Sequence, residues 1–340
     1  MTTSTLSSKI VDAGRLRPLN IFTDLPPVAD MIETCFAGLL DQDGLAAVNN
    51  IRRQGKDKGF LSWAPRMVDT ISLPLSGFVY EADGKLVGNV SIIPYNRFGE
   101  RNYLIANVAT LPQYRRRGIA RLLTEAAVAK AYERGAQSVW LQVRQDNPGA
   151  IGLYEQLGFV QRFTNNTWHL PPEYKITAEP DPTVLVRRAQ LAEWPTLLGA
   201  YRQIYPPVLS WYYGYNLEAF KPGFWRDVQR LFKDERVVLY TAFLGGQPAG
   251  SIAVRNMLGQ PEHIYAIRPF ANGKAVLLAL LASIRAEIDP HKKQVFEFPP
   301  SEYDELIFTA GFVRQRTLVW MQYQGAGKAA THNAAERVQE

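Results

Sequence analysis

A single cysteine, Cys35, in 340 residues excludes an internal disulfide and any cysteine-rich metal site. It falls among Val28, Met31, Ile32, Phe36 and Leu39, one stripe at helical spacing, and reads as a buried core thiol rather than a nucleophile. Histidine is equally sparse. His169, His263, His291 and His332 are scattered without an i,i+4 pair, so no metal site is expected. No run approaches the roughly 20 apolar residues of a membrane helix. The best, Ala275–Ile284, reads as a buried helix. The opening MTTSTLSSKI lacks the apolar core of a signal peptide, so the expectation is a cytoplasmic protein with no membrane partner.

What is present is ordinary globular material. Hydrophobic residues make up 46% and charged residues 21%, enough for two cores in a chain of this length. The net charge of +6 suits anionic small ligands as well as nucleic acid and decides nothing alone.

The two halves echo one another. Asp83-Gly84-Lys85-Leu86-Val87-Gly88 returns as Gly245-Gly246-Gln247-Pro248-Ala249-Gly250, each a hairpin turn leading into an alternating strand. Gly118-Ile119-Ala120 returns as Gly273-Lys274-Ala275, and Leu157-Gly158-Phe159-Val160 as Ala310-Gly311-Phe312-Val313. The three intervals are similar and shrink in order, as a duplication with loop deletions would leave them. Each half reads as strand, helical region, hairpin, strand, helix, strand, helix and closing strands: a pair in the first half, at least one in the second. The fold class is α/β, two similar domains, each a mixed twisted sheet flanked by helices. The expected boundaries are a loose tail over 1–13, a first domain over 14–170 and a Pro- and Glu-rich linker over 171–182. A second domain over 183–325 and a loose tail over 326–340 complete the chain.

The chemistry concentrates between Tyr103 and Phe159. A strand ending at Val108-Ala109-Thr110 runs through Leu111-Pro112 into Arg115-Arg116-Arg117-Gly118-Ile119-Ala120-Arg121 and an amphipathic helix. Small residues at Gly118 and Ala120 let a ligand approach the backbone, while the helix start offers unpaired amides and partial positive charge. With four arginines beside it, this is a pyrophosphate cradle. The same arginines in isolation would read as a solvated loop or a nucleic-acid patch, but no nucleic-acid-binding fold or aromatic–basic strip accompanies them. Neither of the commoner nucleotide fingerprints is present.

Arg115-x-x-Gly118-x-Ala120 opening a helix resembles the signature of the GNAT superfamily of acyltransferases. Asn147-Pro148-Gly149-Ala150 through Tyr154 to Gly158-Phe159 is similar to that family's Asn-x-x-Ala-x-x-x-Tyr-x-x-x-Gly-Phe element. The resemblance is strongest over 76–165. It implies acetyl-CoA as co-substrate, no metal, and an N-acetyltransferase acting on an amine of a small molecule or peptide, as a monomer or homodimer. It implies that Val108, Ala109 and Thr110 pair with the pantetheine arm, and that Arg115, Arg116, Arg117, Gly118, Ile119, Ala120 and Arg121 surround the pyrophosphate. Asn147 would bond pantetheine or the helix entry, and Tyr154 would protonate the leaving thiolate after direct amine attack. Without the motif, Tyr154 would read as packing beside Ile151 and Leu157 on one helix face.

Family members often carry a carboxylate where Ala106-Asn107 or Gln142 stands here. Asp146 and Glu81 are the nearest acids in sequence and read as surface or capping residues, so no base is assigned. That gap motivates the alternative of a non-catalytic acyl-CoA-sensing module. The second half keeps backbone glycines but has Phe270 for Arg115, Ile307 for Tyr154 and Pro299-Pro300 near the Asn147 position, and reads as a degenerate copy. Segments 41–74 and 204–224 are where an acceptor site would diverge; the aromatic cluster Tyr201, Tyr205, Trp211, Tyr212, Tyr213 and Tyr215 could line such a cleft but reads first as ordinary core and interface.

Overall fold

The computed structural model describes residues 14–40, 42–67, 73–97, 99–171, 177, 179–212, 217–223, 230, 235–258, 261–289 and 291–325. The expected tails, and Tyr213 and Tyr215 of the aromatic cluster, lie outside them. Contacts divide the chain into two compact units. One comprises residues up to Val143, Asn147–Arg162 and the chain from Trp320; the other comprises Arg144–Asp146 and Phe163–Val319.

The first unit begins with β1 (Gly14–Pro18), which pairs antiparallel with β2 (Gly77–Ala82). Between them lie α1 (Leu25–Cys35), α2 (Gln42–Gln54) and α3 (Lys58–Met67), so much of segment 41–74 is helical. Buried Asp24 precedes α1 and takes two bonds from Arg17, at 2.6 and 3.0 Å. The apolar face of α1 (Leu25, Val28, Met31, Ile32) packs with Val48, Ile51 and Val79, as its sequence periodicity predicts.

Strand β2 turns at Asp83-Gly84, both at positive φ (52° and 70°), into β3 (Lys85–Arg97), and β4 (Glu100–Thr110) returns antiparallel. Two consecutive positive φ values are what a tight hairpin of this hand requires. Helix α4 (Ile119–Glu133) covers β3 at Gly88, where a Cβ would lie 2.8 Å from Ile119 and 2.9 Å from Leu123; only glycine allows this approach. Parallel β5 (Ser138–Arg144) and α5 (Pro148–Gln156) follow, giving the order β1-β2-β3-β4-β5. Gly135 and Gly158, at φ 80° and 94°, end the two helices as expected.

A closing strand pair is not what forms. Phe159–Leu170 is one continuous strand, β6, whose residues to Arg162 belong to the first unit. Its Asn165-Asn166 makes no turn: both are buried, and Asn166 is held by Asp304 (2.8 Å) and by Thr317 (2.7 Å). Burial with satisfied amides outweighs the turn preference of asparagine.

The second unit contains β7 (Val184–Arg188), α6 (Trp194–Ile204), β8 (Glu235–Leu244), β9 (Gln247–Met257), β10 (Glu262–Ala266), α7 (Gly273–Ser283), β11 (Gln294–Phe298) and α8 (Asp304–Thr309). Its order is β11-β10-β9-β8-β7, with the end of β6 against β11. The β8–β9 turn repeats positive φ at Gly245 and Gly246 (57° and 79°). Strand β12 (Val313–Tyr323) closes the chain, its residues from Trp320 grouping with the first unit. Tyr201, Tyr205 and Trp211 of the aromatic cluster are buried core. Within 171–182, Thr177 donates its amide to the Ala310 carbonyl and its hydroxyl to that of Thr309, at 3.2 and 2.9 Å.

Candidate active site

The first unit carries an opening built by backbone geometry. Strands β4 and β5 pair only from Asn102–Ser138 to Ile105–Leu141, so Ala106–Thr110 lies beyond their ladder. A bulge on the other side of β4 accompanies the break: Ser91 opposes Ala106 and Asn89 opposes Ala109, leaving one β3 residue against two on β4. The extra residue, Asn107, has φ 52°, a left-handed conformation that asparagine tolerates better than most side chains. Side chains of β3 hold it there. Asn89 Nδ2 donates to the Asn107 carbonyl at 3.0 Å, and Asn107 Nδ2 donates to Ser91 Oγ at 3.1 Å. Asn89 and Ser91 are almost fully buried. Sequence reasoning missed this staple; the only trace was polar residues interrupting apolar strands at 89, 91 and 107.

Next to that opening, α4 starts without a side-chain cap. Gly118 occupies the N-cap at φ 78°, so the first-turn amides of Ile119, Ala120 and Arg121 have no capping side chain. A Cβ at Gly118 would meet nothing within 4 Å, so the helix start faces open space. Arg115, Arg116 and Arg117 are exposed around it. Three of the four arginines are also oriented locally. Arg115 Nε donates to the Thr110 carbonyl (3.1 Å), Arg117 lies 5.0 Å over the Tyr114 ring, and Arg121 donates to Gln156 Oε1 (2.6 Å). Uncapped amides, open space before them and surrounding guanidiniums fit a pyrophosphate.

Asn147 is the N-cap of α5. Its Oδ1 accepts from the Ala150 amide at 3.1 Å, so that oxygen serves the helix entry. Tyr154 lies on α5, 7% exposed, with its ring 5.9 Å from Phe159. Burial pushes its phenol well above the ordinary tyrosine range, so it holds its proton at neutral pH. The nearby acids are engaged elsewhere. Asp146 pairs with Arg144 at 2.6 Å and Glu81 with Arg17 at 3.1 Å, and both interactions hold the carboxyls below their ordinary values. Cys35 is half-buried on α1; burial raises its thiol against the pull of Arg115, which is the behaviour of an inert packing thiol.

The second unit lacks the same construction. The left-handed N-cap of α7 is Asn272 (φ 42°), so the structural counterpart of Gly118 lies one residue before Gly273, where sequence similarity placed it. Gly273 is instead packed: a Cβ there would lie 2.0 Å from the Tyr303 hydroxyl. Gly250 faces Val276 and Leu280, the fourth and eighth residues of α7, whereas Gly88 faces the first and fifth of α4. Helix α7 therefore starts about one turn earlier relative to its sheet. Strand β10 pairs with β9 from His263 to Ala266 without a register shift. Phe270 is 51% exposed and Ile307 fully buried.

The model of the acetyltransferase (GNAT) family matches residues 48–159. The ribosomal protein bS18-alanine N-acetyltransferase of Escherichia coli (strain K12) is 45% identical over 53 residues, 16% of this chain and 36% of that protein. The N-alpha-acetyltransferase of Sulfurisphaera tokodaii is 38% identical over 93 residues, 24% of this chain and 54% of that protein. The chain thus spans between a third and about half of the length of these relatives. A crystal structure of a GCN5-related N-acetyltransferase from Sphaerobacter thermophilus is 14% identical, with a TM-score of 0.52 over 92% of this chain and 96% of that one. Residues 48–159 thus match the acetyltransferase (GNAT) family, and the fold of the chain, two α/β units, is similar to that of the Sphaerobacter thermophilus structure. No helix among the described residues is long and apolar enough to cross a membrane.

Proposed function

We propose that the first unit is an acetyl-CoA-dependent N-acetyltransferase that acetylates an amine of a small molecule or peptide by direct attack in a ternary complex. One observation carries this reading: the strand edge freed by the Asn107 bulge and the uncapped, open start of α4 occur together in one unit. The edge Val108–Thr110 offers backbone groups to the amide-bearing pantetheine arm. The amides from Arg116 to Arg121 take the pyrophosphate, with the arginines supplying positive potential. The named activities of the two relatives, both acetylations of amines, support an amine acceptor.

In the step itself the neutral amine attacks the thioester carbonyl, and the carbon–sulfur bond breaks as the new carbon–nitrogen bond is completed. Tyr154, protonated at neutral pH, gives its proton to the departing thiolate. Asp146 and Glu81, the nearest acids in sequence, are both held by arginines, so the group that takes the amine proton stays unassigned.

The test is a titration with acetyl-CoA followed by a screen of amines read by thiol release. Tight binding with amine-dependent thiol release is the expected outcome. Tight binding with no release from any amine would favour the acyl-CoA-sensing reading, and absence of binding would remove both.

A further inference from the structure

The second unit holds a pocket that the acetyl-transfer reading does not use. Its volume is about 370 Å³, and it is lined by Arg144, Gln145, Asp146, Arg314, Gln315, Arg316 and Thr317. Every one of these side chains is polar. Polar surface dominates the lining, so the pocket selects chiefly by charge and hydrogen bonding. Three guanidiniums face a single carboxylate, leaving an excess of positive charge.

The walls are fixed by contacts far apart in sequence. The Gln145 amide donates to the Thr317 carbonyl at 3.0 Å, joining the end of β5 to β12. Thr317 in turn bonds Asn166, which bonds Asp304, at 2.7 and 2.8 Å. Arg144 is held by Asp146 through two bonds, at 2.9 and 2.6 Å. Arg314 lies 5.9 Å from the centre of the Trp168 ring and 3.5 Å from Asp304, a distance that leaves most of its donors to solvent. Its side chain is 53% exposed. Positioned guanidiniums that match planar oxygen pairs describe an oxyanion site.

We propose that this pocket binds a small molecule bearing a carboxylate or phosphate group, with Arg314 as its principal exposed cation and Asp146 limiting its affinity. Two sources share that chemistry: an amine acceptor that also carries an anionic group, which rests on the acetyltransferase reading, and an anion bound independently of transfer.

Inorganic phosphate is titrated into the full chain at low ionic strength, with binding read by calorimetry. Saturable binding is expected, weakened roughly fivefold by Arg314→Ala. Asp146→Asn should strengthen it several-fold, because it removes the lining carboxylate and releases Arg144. Arg314 is exposed, so its substitution leaves the fold intact. A second arm compares 4-aminobutyrate with butylamine as acceptors at saturating acetyl-CoA. A higher KM for 4-aminobutyrate alone in Arg314→Ala, with kcat unchanged, identifies the acceptor as the anion. Loss of phosphate binding with both amines unaffected identifies an independent ligand. If neither amine is acetylated, the phosphate arm alone decides whether the pocket binds an anion. Phosphate binding that is absent, or unchanged in both variants, overturns the proposal; in the unchanged case the anion binds elsewhere, as at the start of α4.

Discussion

Tyr154 separates packing from chemistry within one side chain. Its ring sits against Phe159, which in turn lies 5.2 Å from Tyr323, so the aromatic part is structural whatever the hydroxyl does. Burial keeps that hydroxyl protonated, as a proton donor must be. Tyr154→Phe preserves the ring and removes only the donor. Positioned acids contribute about 10²–10⁴-fold, so kcat should fall on that scale while the dissociation constant for acetyl-CoA changes little. Pre-steady-state kinetics decide the matter: unchanged turnover with chemistry rate-limiting would reduce Tyr154 to a packing residue. The motif positions of Tyr154 and Asn147 were legible in sequence because short-range spacing specifies them. That the Asn147 Oδ1 caps the helix at the Ala150 amide was not, since that depends on the rotamer the folded chain selects.

At the scale of elements, one fold carries two different helix starts. Helix α4 begins at a left-handed glycine facing open space, whereas α7 begins a turn earlier relative to its sheet, with Tyr303 packed where a Cβ at Gly273 would stand. Gly118→Val adds a branched side chain at positive φ and beside the proposed pyrophosphate site. The strain alone is about 1–2 kcal/mol, enough for the unit to remain folded. Acetyl-CoA affinity should fall by tenfold or more while circular dichroism is unchanged. Calorimetry of the unaltered chain should give one tight site, and Phe270→Ala, at an exposed position of the second unit, should leave it intact. Two comparable sites would mean the second helix start binds after all. Gly273 is unsuitable as the control, because substitution there collides with Tyr303.

At the scale of the whole molecule, stability is linked to pH through His263. It packs beside Tyr265 at 6.2 Å, and burial, with Arg255 and Lys293 nearby, lowers it to about 4. The unfolded chain would protonate this imidazole near pH 6.5, while the folded one stays neutral until about pH 4. Between those values the unfolded state binds the extra proton, so stability falls as pH drops through that window and is fully present above it. The loss from this residue amounts to at most about 3 kcal/mol. Urea denaturation at pH 7.5 and pH 4.5 should show a drop that His263→Gln diminishes. An equal drop in wild type and variant would assign the effect to other groups.

Sequence alone determined the elements that depend on neighbours in the chain. The hairpin turns at Asp83-Gly84 and Gly245-Gly246, the glycine helix ends and the duplicated α/β order all rest on local backbone preference and short-period patterning. Tertiary structure alone decided what depends on partners far along the chain. Asn107 is a bulge because Asn89 and Ser91 on the neighbouring strand hold it. Asn165-Asn166 stays in a strand because Asp304 and Thr317 satisfy Asn166. The arginine pocket exists because residues around 145 and 315 are brought together. Such contacts are long-range hydrogen bonds and ion pairs, whose energies outweigh local propensity only once the sheet has brought them within reach.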